Sequence, residues 1–364
     1  MSKTKIEWSE EVWNPATGCT KVSQGCKNCY AETLTQRYAG RPGWPTEFKP
    51  WTPANAAENV VLHPSRLEDP FKWKTPRRVF VNSMSDLFHE EIPDEFIDKV
   101  FAVMALTPQH TYQVLTKRPE RMRAYMTKER TAHFDDGTPV TPRNPYHSAD
   151  FVLWAETAIT ENAAWPIRKA MDDFPNAHEW DWPLPNVWLG VTVENQRWAD
   201  ERIPILLDTP AAVRFVSAEP LLGPVDLTNI NWTARLLGHA KKLRDSMASD
   251  NEHRDVAEEI VASIEHDGHD HPALLNALTG WRTDGEDVIS DFYNDPYGRT
   301  LNWVIVGGES GSKHRPFDPD WARSIVSQCK NAGVAAFVKQ LGGFRPGNAL
   351  EDLPEDLRVR EFPR

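Results

Sequence analysis

Thr111-Tyr112-Gln113-Val114-Leu115-Thr116-Lys117-Arg118-Pro119 is a short apolar run that stops at two cations and a proline. Its β-branched and aromatic residues favour a strand. Pro119 suits the first position of a helix, and the chain reads as helical from there to about residue 127. The same order of strand, polar end and helix recurs on both sides. Upstream, Arg78-Val79-Phe80-Val81-Asn82 runs into Ser83-Met84-Ser85-Asp86, and Pro93 and Asp94 open a helix. That helix places Phe96, Ile97, Val100, Phe101 and Met104 on one face. Downstream, a strand over 186–193 ends at Glu194, and Asn195 caps a helix carrying Trp198, Ile203, Leu206 and Leu207. A strand over 212–217 runs into Ala218-Glu219-Pro220. Another over 301–306 runs into Gly307-Gly308-Glu309-Ser310-Gly311. Asp318 and Pro319 then start a helix that stops at Asn331 and Gly333. A last strand over 334–338 ends at Lys339 and Gln340.

Apolar strands alternating with helices predict a parallel sheet covered by helices. The expected fold is α/β, a partial (β/α) barrel of about six or seven parallel strands. An open doubly wound sheet is the competing arrangement, because strand order is not legible in sequence. Two stretches break the rhythm, at about 128–185 and 228–300, and read as mostly helical or irregular inserts. The first includes a predicted helix around 155–171. The whole of 1–364 is expected to be a single barrel domain that carries both inserts.

The net charge of −12 argues against a whole-chain electrostatic footprint for nucleic acid or anionic membrane. No stretch approaches the ~20 apolar residues of a membrane span. The first residues lack the apolar run of a signal peptide. Four cysteines, three of them clustered, do not form a disulfide framework. The expectation is a cytoplasmic protein in a reducing compartment.

The clustered thiols lie in Gly18-Cys19-Thr20-Lys21-Val22-Ser23-Gln24-Gly25-Cys26-Lys27-Asn28-Cys29-Tyr30. A strand-like segment ending near Trp13 leads into this loop, and a helix over 30–38 leaves it. Thiolates are soft ligands suited to zinc, copper(I) or iron–sulfur clusters. A closed zinc site takes four protein ligands, and this loop offers three cysteines and no histidine. Cys329 shares a helix stripe with Trp321 and Ile325 and is expected in the core. His266, His269 and His271, with Asp267 and Asp270, sit in the second insert and read as a solvated loop. The fifteen tryptophans are expected mainly to pack the excursions onto the barrel.

Each strand ends on polar residues, and in a parallel barrel the C-terminal strand ends gather on the face where active sites are built. Asn82, Ser83 and Asp86, Thr116, Lys117 and Arg118, Glu194, Ser217 and Glu219, Glu309 and Ser310, and Lys339 and Gln340 are therefore candidate site residues, with Gly307 and Gly308 allowing close backbone approach. The pattern does not fit a dinucleotide fingerprint. No catalytic residue is singled out.

Trp13-Asn14-Pro15-Ala16-Thr17-Gly18-Cys19 through Cys26-Lys27-Asn28-Cys29-Tyr30-Ala31-Glu32 resembles the hallmark of a phage-associated three-Cys-motif family. Asn82 through Phe88, Leu115-Thr116-Lys117-Arg118-Pro119, Leu189 through Glu194, Ser217 through Gly223 and Val306 through Gly311 are similar to it as well. That family in turn resembles, more distantly, radical S-adenosylmethionine enzymes. The resemblance implies a 4Fe-4S cluster on Cys19, Cys26 and Cys29, with S-adenosylmethionine on the open iron and a 5′-deoxyadenosyl radical acting on a substrate. It implies cofactor contacts from Glu194, Glu219, Gly307, Gly308, Glu309, Ser310, Ser83 and Lys117. It also implies a three-Cys-motif partner protein, and it admits nucleic acid or a nucleotide as substrate, although the net charge does not point there. The commonest radical motif has three residues between its first two cysteines and an aromatic before the third. Here six residues intervene, and Asn28 takes the aromatic's place. The alternative is a non-catalytic zinc or iron–sulfur module of a phage-derived complex.

Overall fold

Side chains alternate across each strand, so each strand has two faces to fill. In the computed structural model, which describes residues 4, 6–128, 182–233, 300–344 and 349–363 with short pieces of 132–140 and 237–278, both faces are apolar. Seven strands form one sheet: β1 (Glu11–Trp13), β2 (Arg78–Val81), β3 (Thr111–Thr116), β4 (Val187–Thr192), β5 (Val213–Ala218), β6 (Trp303–Gly307) and β7 (Ala335–Gln340). They lie in chain order and every neighbouring pair is parallel. A doubly wound sheet would reverse its order at a switch point, and this sheet does not. It curls into a half-barrel.

Among the described residues, five helices of eight residues or more connect or follow the strands: α1 (Tyr30–Tyr38), α2 (Asp94–Leu106), α3 (Pro119–Met126), α4 (Gln196–Leu207) and α5 (Pro319–Ala332). Their buried faces pack on the outward strand residues in one large core that joins Val79 and Val81 to Ile97, Val100 and Phe101. Caps set the helix starts. Asn195 accepts from the Trp198 backbone N–H, and Asp318 accepts from that of Asp320. Gly333 ends α5 at a φ of +69°, a conformation glycine takes without strain. Cys329 is fully buried on α5, as its stripe implies.

The inward faces hold a second cluster: Trp8, Phe80, Phe215, Trp303, Ile305 and Phe337. Here the structure departs from expectation, since Trp303 and the partly buried Trp188 fill the barrel interior instead of packing an excursion. Their inward strand positions decide this, and period-two alternation places them there. The edge of β7 is covered by the C-terminal segment. Val338 N–H donates to Val359 O, and Glu361 N–H donates to Ala336 O, both at 2.8 Å. This blunts an edge that would otherwise offer unpaired backbone groups. Residues 41–76 form an ordered excursion of short turns, with Val61–Leu62 paired antiparallel to Ala16–Thr17. Most of both inserts lies outside the described residues, including the predicted 155–171 helix and the His266, His269 and His271 group. Among the described residues no helix is long and apolar enough to cross a membrane.

Candidate metal and cofactor site

The cysteine loop leaves β1 and enters α1, so it crosses the mouth of the half-barrel at the C-terminal ends of the strands. A cavity of about 640 Å³ opens there. Its wall includes Cys19, Cys26 and Cys29 together with Ser83, Lys117, Glu219, Gly308, Glu309, Ser310 and Lys339. All three thiols are free and half-buried. Glu194 and Gly307 stand behind this wall.

The loop is held from below. Glu194 is fully buried and accepts from Ser23 Oγ at 2.8 Å and from Arg202 Nη1 at 3.1 Å, with Lys117 Nζ at 3.8 Å. A Cβ on Gly25 would come within 2.3 Å of Glu194 Oε1, so only glycine lets the loop settle on that carboxylate. Gly18 has a φ of +86°, and a Cβ there would lie 1.8 Å from Asn59 O. One glycine serves a turn and the other a close approach.

A second anchor is Arg118, only 5 % exposed. Its Nη1 reaches Cys19 Sγ at 3.6 Å and Asp86 Oδ2 at 3.2 Å, and its Nη2 donates to Thr20 Oγ1 at 2.8 Å. Asp86 also accepts from Thr116 Oγ1 and the Lys117 backbone N–H. Burial, then the Asp86 charge, pushes the Cys19 thiol up to about 12 against the opposing pull of Arg118. Burial raises Cys29 as well. Cys26 acts electrostatically on both, which marks the three sulfurs as neighbours.

The third anchor ties the loop to β6. Glu309 takes a bidentate pair from Arg315 at 3.0 and 2.9 Å, and Asn28 Nδ2 donates to it at 3.1 Å. Arg315 Nη1 also donates to Gln24 O. Burial would raise the Glu309 pKa, but these hydrogen bonds outweigh it and hold the carboxyl below its usual range. Across the mouth Lys339 pairs with Glu219. Burial alone would lower Lys339, but the Glu219 charge overrides it and keeps the ammonium protonated. The glycines that follow β6 serve packing here. A Cβ on Gly308 would lie 2.2 Å from Gly342 N, and one on Gly307 would face the Glu219 carboxylate at 3.2 Å.

The chain matches, over residues 3–357, the family described as a protein of unknown function, DUF5131. It belongs to that family. No curated protein and no solved structure matches the chain with significance. In this DUF5131 chain the structure gathers Ser83, Lys117, Glu219, Glu309 and the cysteines around one cavity, and sets Glu194 beneath the loop. Sequence reasoning missed Arg202, Arg315 and Ser23. Ser23 and the Arg315 contact to Gln24 depend on partners far along the chain, while the Arg315–Glu309 and Arg202–Glu194 offsets of six and eight residues cross irregular turns and carry no periodic signal.

Among the described residues, no three His, Cys, Asp or Glu side chains close on one point as a site for a single ion. A cubane cluster is larger than an ion, and its thiolates stand farther apart around it. Three soft thiols along one wall of an open cavity suit such a cluster in donor type. The histidines next to the loop are engaged otherwise, His63 with Thr17 Oγ1 at 2.8 Å and His89 with Thr20 Oγ1 at 3.0 Å.

Proposed function

We propose that this chain is an iron–sulfur enzyme of the radical S-adenosylmethionine type, holding a 4Fe-4S cluster on Cys19, Cys26 and Cys29. One observation carries the reading. Three free thiols line a cavity at the C-terminal end of the strands of a parallel half-barrel, while Cys329 sits in the core and His63 and His89 are engaged by the hydroxyls of Thr17 and Thr20. The vacant coordination position therefore faces the cavity, where a small molecule can take it.

When bound, such a cluster supplies the electron that cleaves S-adenosylmethionine to a 5′-deoxyadenosyl radical. The chain's own residues bind and orient. Lys117 and Lys339 bring positive charge to the wall for a carboxylate. Glu219, Ser83 and Ser310 offer oxygen acceptors for amino and hydroxyl groups. Arg118 donates toward Cys19 and favours its thiolate. Arg315, by saturating Glu309, fixes the loop between Gln24 and Asn28 against β6. The apolar interior beneath the cavity excludes water from the reacting centre. Free cysteines suit the cytoplasm, and the implied three-Cys-motif partner and a nucleotide-type substrate belong to the same reading.

The test is anaerobic reconstitution with iron and sulfide, followed by spectra and an assay for 5′-deoxyadenosine with and without dithionite. The expected result is a reducible cluster, lost in Cys26→Ala, and 5′-deoxyadenosine only with reductant. Zinc without iron after anaerobic purification would overturn it, as would a cluster that never cleaves S-adenosylmethionine.

A further inference from the structure

The β1–β2 side of the cavity carries polar atoms that the fold leaves without partners. Asn82 is 2 % exposed, yet neither its Oδ1 nor its Nδ2 has a hydrogen bond. Its φ of +60° makes it the only non-glycine residue in the left-handed region among the described residues. Buried, unpaired and conformationally strained groups persist where a ligand completes them. Ser85 Oγ, Trp8 Nε1 and Glu7 Oε2 are likewise buried and unpartnered, and all four residues line the cavity. The opposite side differs, since Glu219 pairs with Lys339 and Glu309 with Arg315.

The arrangement has a shape. Asn82 lies one residue past the end of β2 and lines the cavity together with Phe80. The Trp8 ring meets Phe80 edge-on, with centroids 4.7 Å apart. Two aromatic side chains therefore line the same cavity as a primary amide with one free donor beside one free acceptor. That pair complements the N6/N7 edge of adenine, where the oxo counterpart offers two acceptors instead. Rings of this kind stack on aromatic side chains. Glu7 Oε2 adds an acceptor for a sugar hydroxyl.

We propose that this side of the cavity is a substrate subsite for an adenine nucleoside, read by Asn82. The inference rests on the proposed function, whose cofactor then occupies the β5–β7 side. The ligand is a mononucleoside and not a polymer, because a chain of net charge −12 repels a polyanion.

Calorimetric titration of the full-length reconstituted chain with adenosine, cytidine, inosine and uridine, each with and without saturating S-adenosylhomocysteine, tests this. Parallel titrations use the metal-free chain. Adenosine should bind about ten-fold or more tightly than inosine, without displacement by S-adenosylhomocysteine. Asn82→Gly should abolish that preference. Glycine accepts the positive φ, so this variant should melt no lower than the parent. Ser85→Ala should weaken binding without removing the preference. Equal binding of amino and oxo bases overturns the subsite, as does an unchanged preference in Asn82→Gly. Displacement of adenosine one-for-one by S-adenosylhomocysteine also overturns it and gives the base edge to the cofactor. A chain that purifies anaerobically with zinc and no iron and still discriminates nucleosides would end the radical reading and leave the subsite standing. A chain that cleaves S-adenosylmethionine and ignores nucleosides would do the reverse.

Discussion

The guanidinium of Arg118 has five donors, and Glu90, Asp86, Thr20 and Cys19 share them. Its position at the end of β3 was legible, because each strand of the sequence stops on polar residues. Its partners were not. Glu90 lies 28 residues before it and Cys19 lies 99 before it, and no local pattern links such distances. Alternation also separates the neighbours, so Lys117 pairs toward Glu194 while Arg118 turns to the root of the cysteine loop. Asn82 was legible as a polar strand end in the same way, but its unpaired amide shows only once the surrounding strands are in place. Under the proposed function, Arg118→Lys keeps the charge but loses the fork that spans Asp86, Thr20 and the sulfur. Groups that orient a metal's ligands typically cost about 10–100-fold in metal affinity when replaced. Iron retention against a chelator should fall by that order while the melting temperature moves little. Retention within about two-fold of the parent would show that Arg118 only holds the loop backbone.

At the level of elements, the strands and caps followed from local chemistry. The helix after Cys29 spans Tyr30–Tyr38, and Asn195 and Asp318 cap where their side chains suggest. Local propensity and global packing agree there. The α4 helix shows where they part. Arg202 reads as a surface residue in its helix, yet it is 2 % exposed, donates to Thr192 O at 2.8 Å and meets fully buried Glu194 at 3.1 Å. The pair is what Ser23 of the cysteine loop rests on. Removing one member of a buried ion pair strands the other, at a cost of about 3–5 kcal/mol. Arg202→Met should therefore destabilise the chain by that order in urea unfolding. Adding Glu194→Gln should recover a substantial part, because the orphaned charge is gone. A double variant no more stable than the single would mean that the loss comes from packing around Trp198, over which the guanidinium lies at 4.1 Å.

For the whole molecule, alternating strands and helices announced a parallel sheet, and the half-barrel answers to that. Closure was not legible, because the segments that finish the interior and cover the β7 edge, around Trp8 and Val359, have no periodicity of their own. Burial inside this assembly also sets how the molecule responds to pH. His63, His89 and His110 are each held below the ordinary imidazole range, with burial the largest cause in every case. His89 Nδ1 accepts from the Glu91 backbone N–H, which leaves Nε2 to donate to Thr20, so charging the ring must break a bond. A folded pKa below the unfolded one means that the unfolded chain takes up protons first on acidification. The stability from these rings is complete above their ordinary value of about 6.5 and is lost as pH falls below it. Glu309 and Asp94 lie below the ordinary carboxylate range. Burial opposes this, but Arg315 and Asn28 outweigh it for Glu309, as Lys128 and Arg121 do for Asp94. Their stability is present above about pH 4 and is lost below it, giving a second, more acidic decline. Buried Cys19 and Cys329 shift the opposite way, up to about 12 from 9.0. In metal-free protein their contribution is complete below pH 9 and lost as pH rises beyond it. Melting temperature against pH should therefore form a plateau that falls in two acid steps and one alkaline step. His110→Gln should flatten the first acid step without touching the second. A melting temperature that rises from pH 6.5 to 5.5 would contradict the assignment of neutral, buried rings.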